Sequence, residues 1–80
     1  MPTVHREGPY RFFFYSADRR EPVHVHIERE ANRAKFWLAP VRLARSGGFA
    51  AAELLRLERL TVNCESLLLK AWDEYFTDTE

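Results

Sequence analysis

The spacing of apolar residues changes once along this chain, at Gly47-Gly48. Before that pair, apolar side chains alternate with polar ones in short stretches, as a strand with one buried face requires. After it they recur at steps of three and four, the signature of an amphipathic helix. A chain that uses strands first and helices second must pack one layer on the other. The expected class is therefore α+β, with an N-terminal antiparallel sheet of three to five strands. One face of the sheet is covered by a C-terminal helix or kinked helix pair. Eighty residues make a single domain over 1–80, β-rich across 1–45 and helical across 49–76.

Three stretches rich in aromatic or β-branched residues predict the central strands: Tyr10–Ser16, His24–Arg29 and Arg33–Leu38. Turn residues separate them at Gly8-Pro9, 17–22, 30–32 and Pro40. Residues 3–6 can add a leading strand. Val41–Ala44 can add an edge strand, because Pro40 can start such a strand but cannot lie within a central one. Short sequential connections favour a meander.

In the helical part, Leu54, Leu57, Thr61, Cys64, Leu68, Ala71 and Tyr75 form an apolar stripe, widened by Leu60, Leu67 and Trp72. One unbroken helix over 49–76 would be about 42 Å long. That exceeds a domain whose radius of gyration should be about 12 Å. Thr61-Val62-Asn63 are weak helix formers, and Asn is a good N-cap. A break near Asn63 is expected, with helices over 49–62 and 64–76. An unbroken helix would instead leave a partner-binding arm.

Alternation sorts the strand residues into two faces. Tyr10, Phe12, Phe14, Val25, Ile27, Ala34, Phe36 and Leu38 form the apolar face that the helices should cover. Arg11, Phe13, Tyr15, His24, His26, Glu28, Lys35 and Trp37 form the other. Aromatics there could stack on unpaired bases while Arg pairs with phosphate. The same residues equally suit a subunit interface or a site beneath a loop. His24 and His26 are weak candidates for metal ligands, with Glu28 or Asp18 as an oxygen donor. They could instead exchange protons in phosphodiester cleavage, with Arg11 and Lys35 stabilising the developing charge. His5 could approach the pair only if residues 3–6 join the sheet. The charged run Asp18–Pro22 reads as a solvated turn, and Cys64 as an inert buried thiol.

Equal numbers of basic and acidic residues, twelve each, exclude a uniformly basic nucleic-acid binder. The sum conceals a split, since residues 1–48 carry nine basic and five acidic side chains and residues 49–80 carry three and seven. Ten of the twelve basic residues are Arg, which suits bidentate phosphate pairing. The lone Cys64 excludes an internal disulfide and a four-cysteine zinc site. With no apolar run near the length of a membrane span, and none in residues 1–7 to act as a secretion signal, a cytoplasmic setting is expected. No phosphate loop or dinucleotide motif occurs, so no cofactor is expected.

Several blocks resemble a small bacterial family, domain of unknown function 4160. They are Pro2-Thr3-Val4, Tyr10-Arg11-Phe12-Phe13-Phe14-Tyr15-Ser16, Glu21-Pro22, His24-Val25-His26, Ala34-Lys35-Phe36-Trp37-Leu38 and Gly48-Phe49, with Glu53-Leu54, Leu68, Ala71-Trp72 and Glu74-Tyr75-Phe76 beyond. Thr61–Cys64 is less charged than the usual family helix. The resemblance implies a partner, a second small protein encoded by an adjacent gene. That arrangement implies a toxin–antitoxin-like pair or a two-protein regulatory module. The leading expectation is action by protein binding and RNA contact. The alternatives are a metal-binding or His-dependent phosphodiester-cleaving enzyme, and a non-catalytic dimeric interaction module. Arg11, His24, His26 and Lys35 are the catalytic candidates. Phe13, Tyr15, Glu28 and Trp37 are the candidate binding surface.

Overall fold

The computed structural model describes residues 3–77. Five antiparallel strands form one sheet in the order β1-β2-β3-β4-β5. They are β1 (Thr3–Glu7), β2 (Tyr10–Phe13), β3 (His24–Arg29), β4 (Asn32–Trp37) and β5 (Arg42–Gly47). The order equals the chain order, so the sheet is a meander. The edge strand predicted over Val41–Ala44 begins one residue later and runs on to Gly47. Gly48, at φ +96°, then turns the chain toward the helices, and a Cβ there would collide with the Asn32 side chain. β2 is shorter than expected because Phe14 and Tyr15 leave the sheet. The chain then makes a single 3-10 turn over Ser16–Arg20.

Helix α1 spans Ala51–Asn63 and α2 spans Glu65–Thr77. They meet at Cys64, whose N–H donates to the carbonyls of Leu60 and Thr61 at 3.0 and 3.2 Å. Just upstream, the Thr61 hydroxyl donates back to the Leu57 carbonyl at 2.8 Å. Such back-bonding bends helices, and Val62 and Asn63 add little intrinsic propensity to resist it. The break predicted near Asn63 is therefore present, as an interruption at Cys64 between two helices. The radius of gyration is 11.8 Å. No helix among the described residues is long and apolar enough to cross a membrane.

All eight residues assigned to the apolar face lie in the core, joined by Phe49, Leu57 and Leu68. Phe14 packs against Trp72, Tyr75 and Phe76 at ring separations of 5.2, 5.8 and 6.1 Å. Leu67 does not belong to the stripe and is exposed. A polar clamp closes the other end of the layer. Glu53, in the first turn of α1, accepts from Arg29 Nε at 2.8 Å, from Arg29 Nη2 at 2.9 Å and from the Tyr10 hydroxyl at 2.7 Å. These donors hold the Glu53 carboxyl below its ordinary range, the Arg29 bond contributing most.

Leu57 is fully buried and Leu55, two positions earlier on α1, is exposed. Leu57→Ala should destabilise the fold by about 2–5 kcal/mol, and Leu55→Ala by no more than about 0.5 kcal/mol. Urea unfolding of the two variants checks the contrast.

Candidate functional site

Among the described residues, α1 and α2 pack on the apolar face, and α2 reaches the second face at His24, whose ring lies 5.4 Å from that of Trp72. Strand pairing sets the side chains of the second face in rows. Phe13, His26, Lys35 and Arg45 form one row, since Phe13 pairs with His26, His26 with Lys35 and Lys35 with Arg45. Arg11, Glu28 and Arg33 form the next, and His24, Trp37 and Arg42 the row on the other side. The 3-10 turn after β2 lies against this face and brings Asp18 to the two imidazoles.

Asp18 is the centre of the arrangement. Its Oδ2 accepts the backbone N–H of Tyr15 at 2.7 Å and lies 3.0 Å from His26 Nε2. Its Oδ1 lies 3.1 Å from His24 Nε2. The Asp18 N–H in turn donates to the Tyr15 carbonyl at 3.0 Å, so the turn holds its own carboxylate in place. His24 is completely buried. Its Nδ1 lies 2.9 Å from the Pro22 carbonyl. A carbonyl only accepts, so Nδ1 carries the proton. His24 Nε2 is buried without a hydrogen-bond partner, because its approach to Asp18 is close but misaligned. The two imidazoles stand nearly perpendicular, 5.0 Å apart, and His26 stacks on Phe13 at 5.5 Å.

The other candidates are already engaged. Lys35 is buried, with Nζ donating to Glu21 at 2.5 Å and lying 4.6 Å from the Trp37 ring centre. The Lys35 bond is the main reason the Glu21 carboxyl sits below its ordinary range. Arg11 lies over the Phe13 ring at 4.5 Å and donates to Glu28 at 3.2 Å and to Thr3 at 2.6 Å. Glu28 faces Arg11 and Arg33, not the histidines. Of the two oxygen donors considered for the His pair, Asp18 is therefore the one that reaches it. Phe13 is fully buried and Trp37 partly so. The expected platform of open aromatic faces is thus closed by Arg11, His26, Tyr15 and Lys35 packing on it.

Beside this cluster an open cleft of about 290 Å³ is lined by Tyr15, His26, Arg33, Lys35, Arg45 and Ser46, among others. Its signature lay in β5, where Arg45 falls opposite Lys35. A sequence reading that ended the edge strand at Ala44 could not include it. Asp18 was legible in one respect. A carboxylate three residues past a turn's first residue can reach back to that residue's amide, and Asp18 stands so relative to Tyr15. The charged run reads as solvated only when that bond is overlooked. Residues 3–6 do join the sheet, yet His5 misses the His pair. A bulge between Thr3 and His5 sets His5 beside Phe12, on the helix side, where its Nε2 lies 3.5 Å from Cys64 Sγ. Cys64 is half-buried, and burial, aided by Glu7, raises its thiol pKa. That suits an unreactive thiol.

Residues 10–73 match the profile of a family described as Domain of unknown function (DUF4160). The chain belongs to this family. Neither a curated protein nor a solved structure matches it. For the DUF4160 chain, function must therefore be argued from the site.

His26 bears a pH signature. Burial lowers its pKa below the ordinary value of 6.5, outweighing the pull of Asp18 in the other direction. Between the folded and unfolded pKa values the unfolded chain binds more protons, so stability rises with pH there. Stability should therefore fall as the pH drops below about 6.5. His26→Gln should flatten that part of the profile, as measured by urea midpoints across pH.

Proposed function

We propose that this protein is the RNA-contacting member of a two-protein module, toxin–antitoxin-like or regulatory, and that the second face of the sheet makes the contact. The cleft carries the reading. It gathers Arg33, Lys35 and Arg45 around Tyr15 and His26, so the wall is cationic and the rim aromatic. Lys35 is held by Glu21 and Arg33 shares Glu28 with Arg11, which leaves Arg45 as the principal phosphate partner and Arg33, exposed at its ion pair, as the second. Arg33 also donates to the Tyr15 hydroxyl at 3.1 Å, so the guanidinium is held at the cleft. Arginine there can meet phosphate in a bidentate fork.

Phe13 is buried, so the contact is read as backbone-directed rather than as stacking on successive bases. Proton exchange between His24 and His26 would require both rings at a scissile phosphate. Only His26 borders the cleft, which favours binding over cleavage. A cytoplasmic setting suits such a partner.

The exposed side chains Leu55, Val62 and Leu67, at 60%, 50% and 47% exposure, support protein contact on the opposite side. Leu55 and Val62 are two helical turns apart on α1 and border one groove with Glu58, Arg59 and Asn63. Exposed apolar groups on a rim of charge are what a protein partner covers. We assign the protein of the adjacent gene to this face, with a second copy of the chain as the competing occupant.

Fluorescence anisotropy with a single-stranded RNA should show affinity that falls with salt. Arg33→Ala and Arg45→Ala should each weaken binding and reduce the log–log slope by about 0.7. Binding that is absent, or indifferent to salt, removes the RNA reading. In co-expression pull-downs, Leu55→Glu/Val62→Glu should lose the adjacent protein while Arg45→Ala retains it. Light scattering that finds only a dimer, with no adjacent protein captured, would give the helical face to a second copy.

A further inference from the structure

We propose that Asp18, His24 and His26 form a binding site for one divalent first-row transition cation of the zinc class. Candidate donor atoms of the three side chains lie within 4.8 Å of one another. The Asp18 oxygens stand 3.0 and 3.1 Å from the two Nε2 atoms. Metal–ligand bonds of about 2.0–2.1 Å at angles between square and tetrahedral place neighbouring donors about 3.0–3.4 Å apart, so the two carboxylate–imidazole distances are those of neighbouring ligands.

The decisive atom is His24 Nε2. The Pro22 carbonyl holds the proton on Nδ1, which in the neutral ring leaves a lone pair on Nε2. That lone pair lies 3.1 Å from a carboxylate oxygen but off the line to it, in a side chain with no exposure. Two acceptors at 3.1 Å repel each other unless a cation lies between them. A proton there would have to form a hydrogen bond, and the alignment for one is lacking. A metal ion asks only that both lone pairs converge. The Pro22 contact is moreover the usual outer-shell partner of a ligating imidazole, where a backbone carbonyl fixes the tautomer and the ring. Asp18 is supported likewise by the Tyr15 amide.

Two nitrogens and one oxygen suit zinc, iron, manganese or cobalt better than calcium or magnesium, which prefer all-oxygen shells. Three protein donors leave a position for water or an anionic oxygen.

The test uses the whole chain, purified without an affinity tag and stripped with chelator. Zn²⁺ is titrated by calorimetry and Co²⁺ by visible absorption, with imidazole nitrogen shifts followed by NMR. Expected are one ion per chain, perturbed His24 and His26 Nε2 signals, and at least a tenfold loss of affinity in Asp18→Asn. Cys64→Ser should bind like the parent, which separates this site from His5, Glu7 and Cys64, the other grouping of potential ligands among the described residues. Absence of stoichiometric uptake overturns the proposal. So does uptake lost in Cys64→Ser but kept in Asp18→Asn, or a His24 Nε2 signal that does not move with zinc in excess. Circular dichroism checks the folding of each variant. If Asp18→Asn does not fold, His26→Gln and the nitrogen shifts of the parent chain decide. No RNA is present, so this outcome is independent of the sheet-face reading above.

Discussion

A buried carboxylate governs the second face of the sheet. Leaving a charge such as Asp18 unpaired inside a fold costs several kcal/mol, so the chain around it must supply donors. It does so by leaving the sheet after Phe13, turning once through Ser16–Arg20, and pointing the Tyr15 amide and the His26 imidazole at the same oxygen. Tyr15 at the head of that turn joins Arg11, His26 and Lys35 in closing the aromatic face. With them in place Phe13 and His24 are fully buried, and what remains open is a guanidinium-lined cleft. A sheet expected to present rings to solvent instead presents charge.

The same carboxylate marks the limit of what alternation can reveal. Period two placed all eight apolar-face residues correctly, because each sits in or beside a strand whose pleat decides its side. It also put His24, His26, Lys35 and Arg11 on one surface. It could not say which of them would be free. Lys35 is immobilised by Glu21 and Trp37, residues 14 positions before it and two after, and only the strand pairing brings the first within reach. Asp18 lies outside any strand, so no period applies to it. Its location depends on local bonds with Tyr15, for which its spacing of three residues is the sequence's one sign. The side of the sheet that His5 takes was open for a related reason: a bulge in β1 shifts the pleat by one residue and exchanges the faces.

The helical layer was legible to the extent that its energetics are local. Weak propensity at Thr61–Asn63 and the length of an unbroken helix are properties of the sequence alone, and they locate the bend at Cys64. The stripe keeps its phase through the break, since Leu68, Ala71, Trp72 and Tyr75 all pack on the core. Leu67 was misassigned because it stands one residue before buried Leu68, on the flank of the helix that turns to solvent.

The charge asymmetry between the two halves is only partly spent inside the fold. Arg29 and Glu53 join the basic sheet to the acidic helices through a two-bond fork, and that bond is the largest of the influences that raise the Arg29 pKa and lower that of Glu53. This is the mutual attraction of the two halves made concrete at one position. The remainder is displayed outward. Arg33, Arg42 and Arg45 are exposed on the sheet, whereas α1 and α2 expose both signs, Arg56, Arg59 and Lys70 beside Glu58, Asp73 and Glu74. In a chain of zero net charge, this uneven distribution gives the sheet cleft its own local field. An anion is drawn to the arginines of the cleft, while Leu55 and Val62 line a separate groove on α1. The two proposed contacts therefore do not compete for one surface. One small domain can hold a polyanion and a protein partner at the same time, as a member of a two-protein module would need to do.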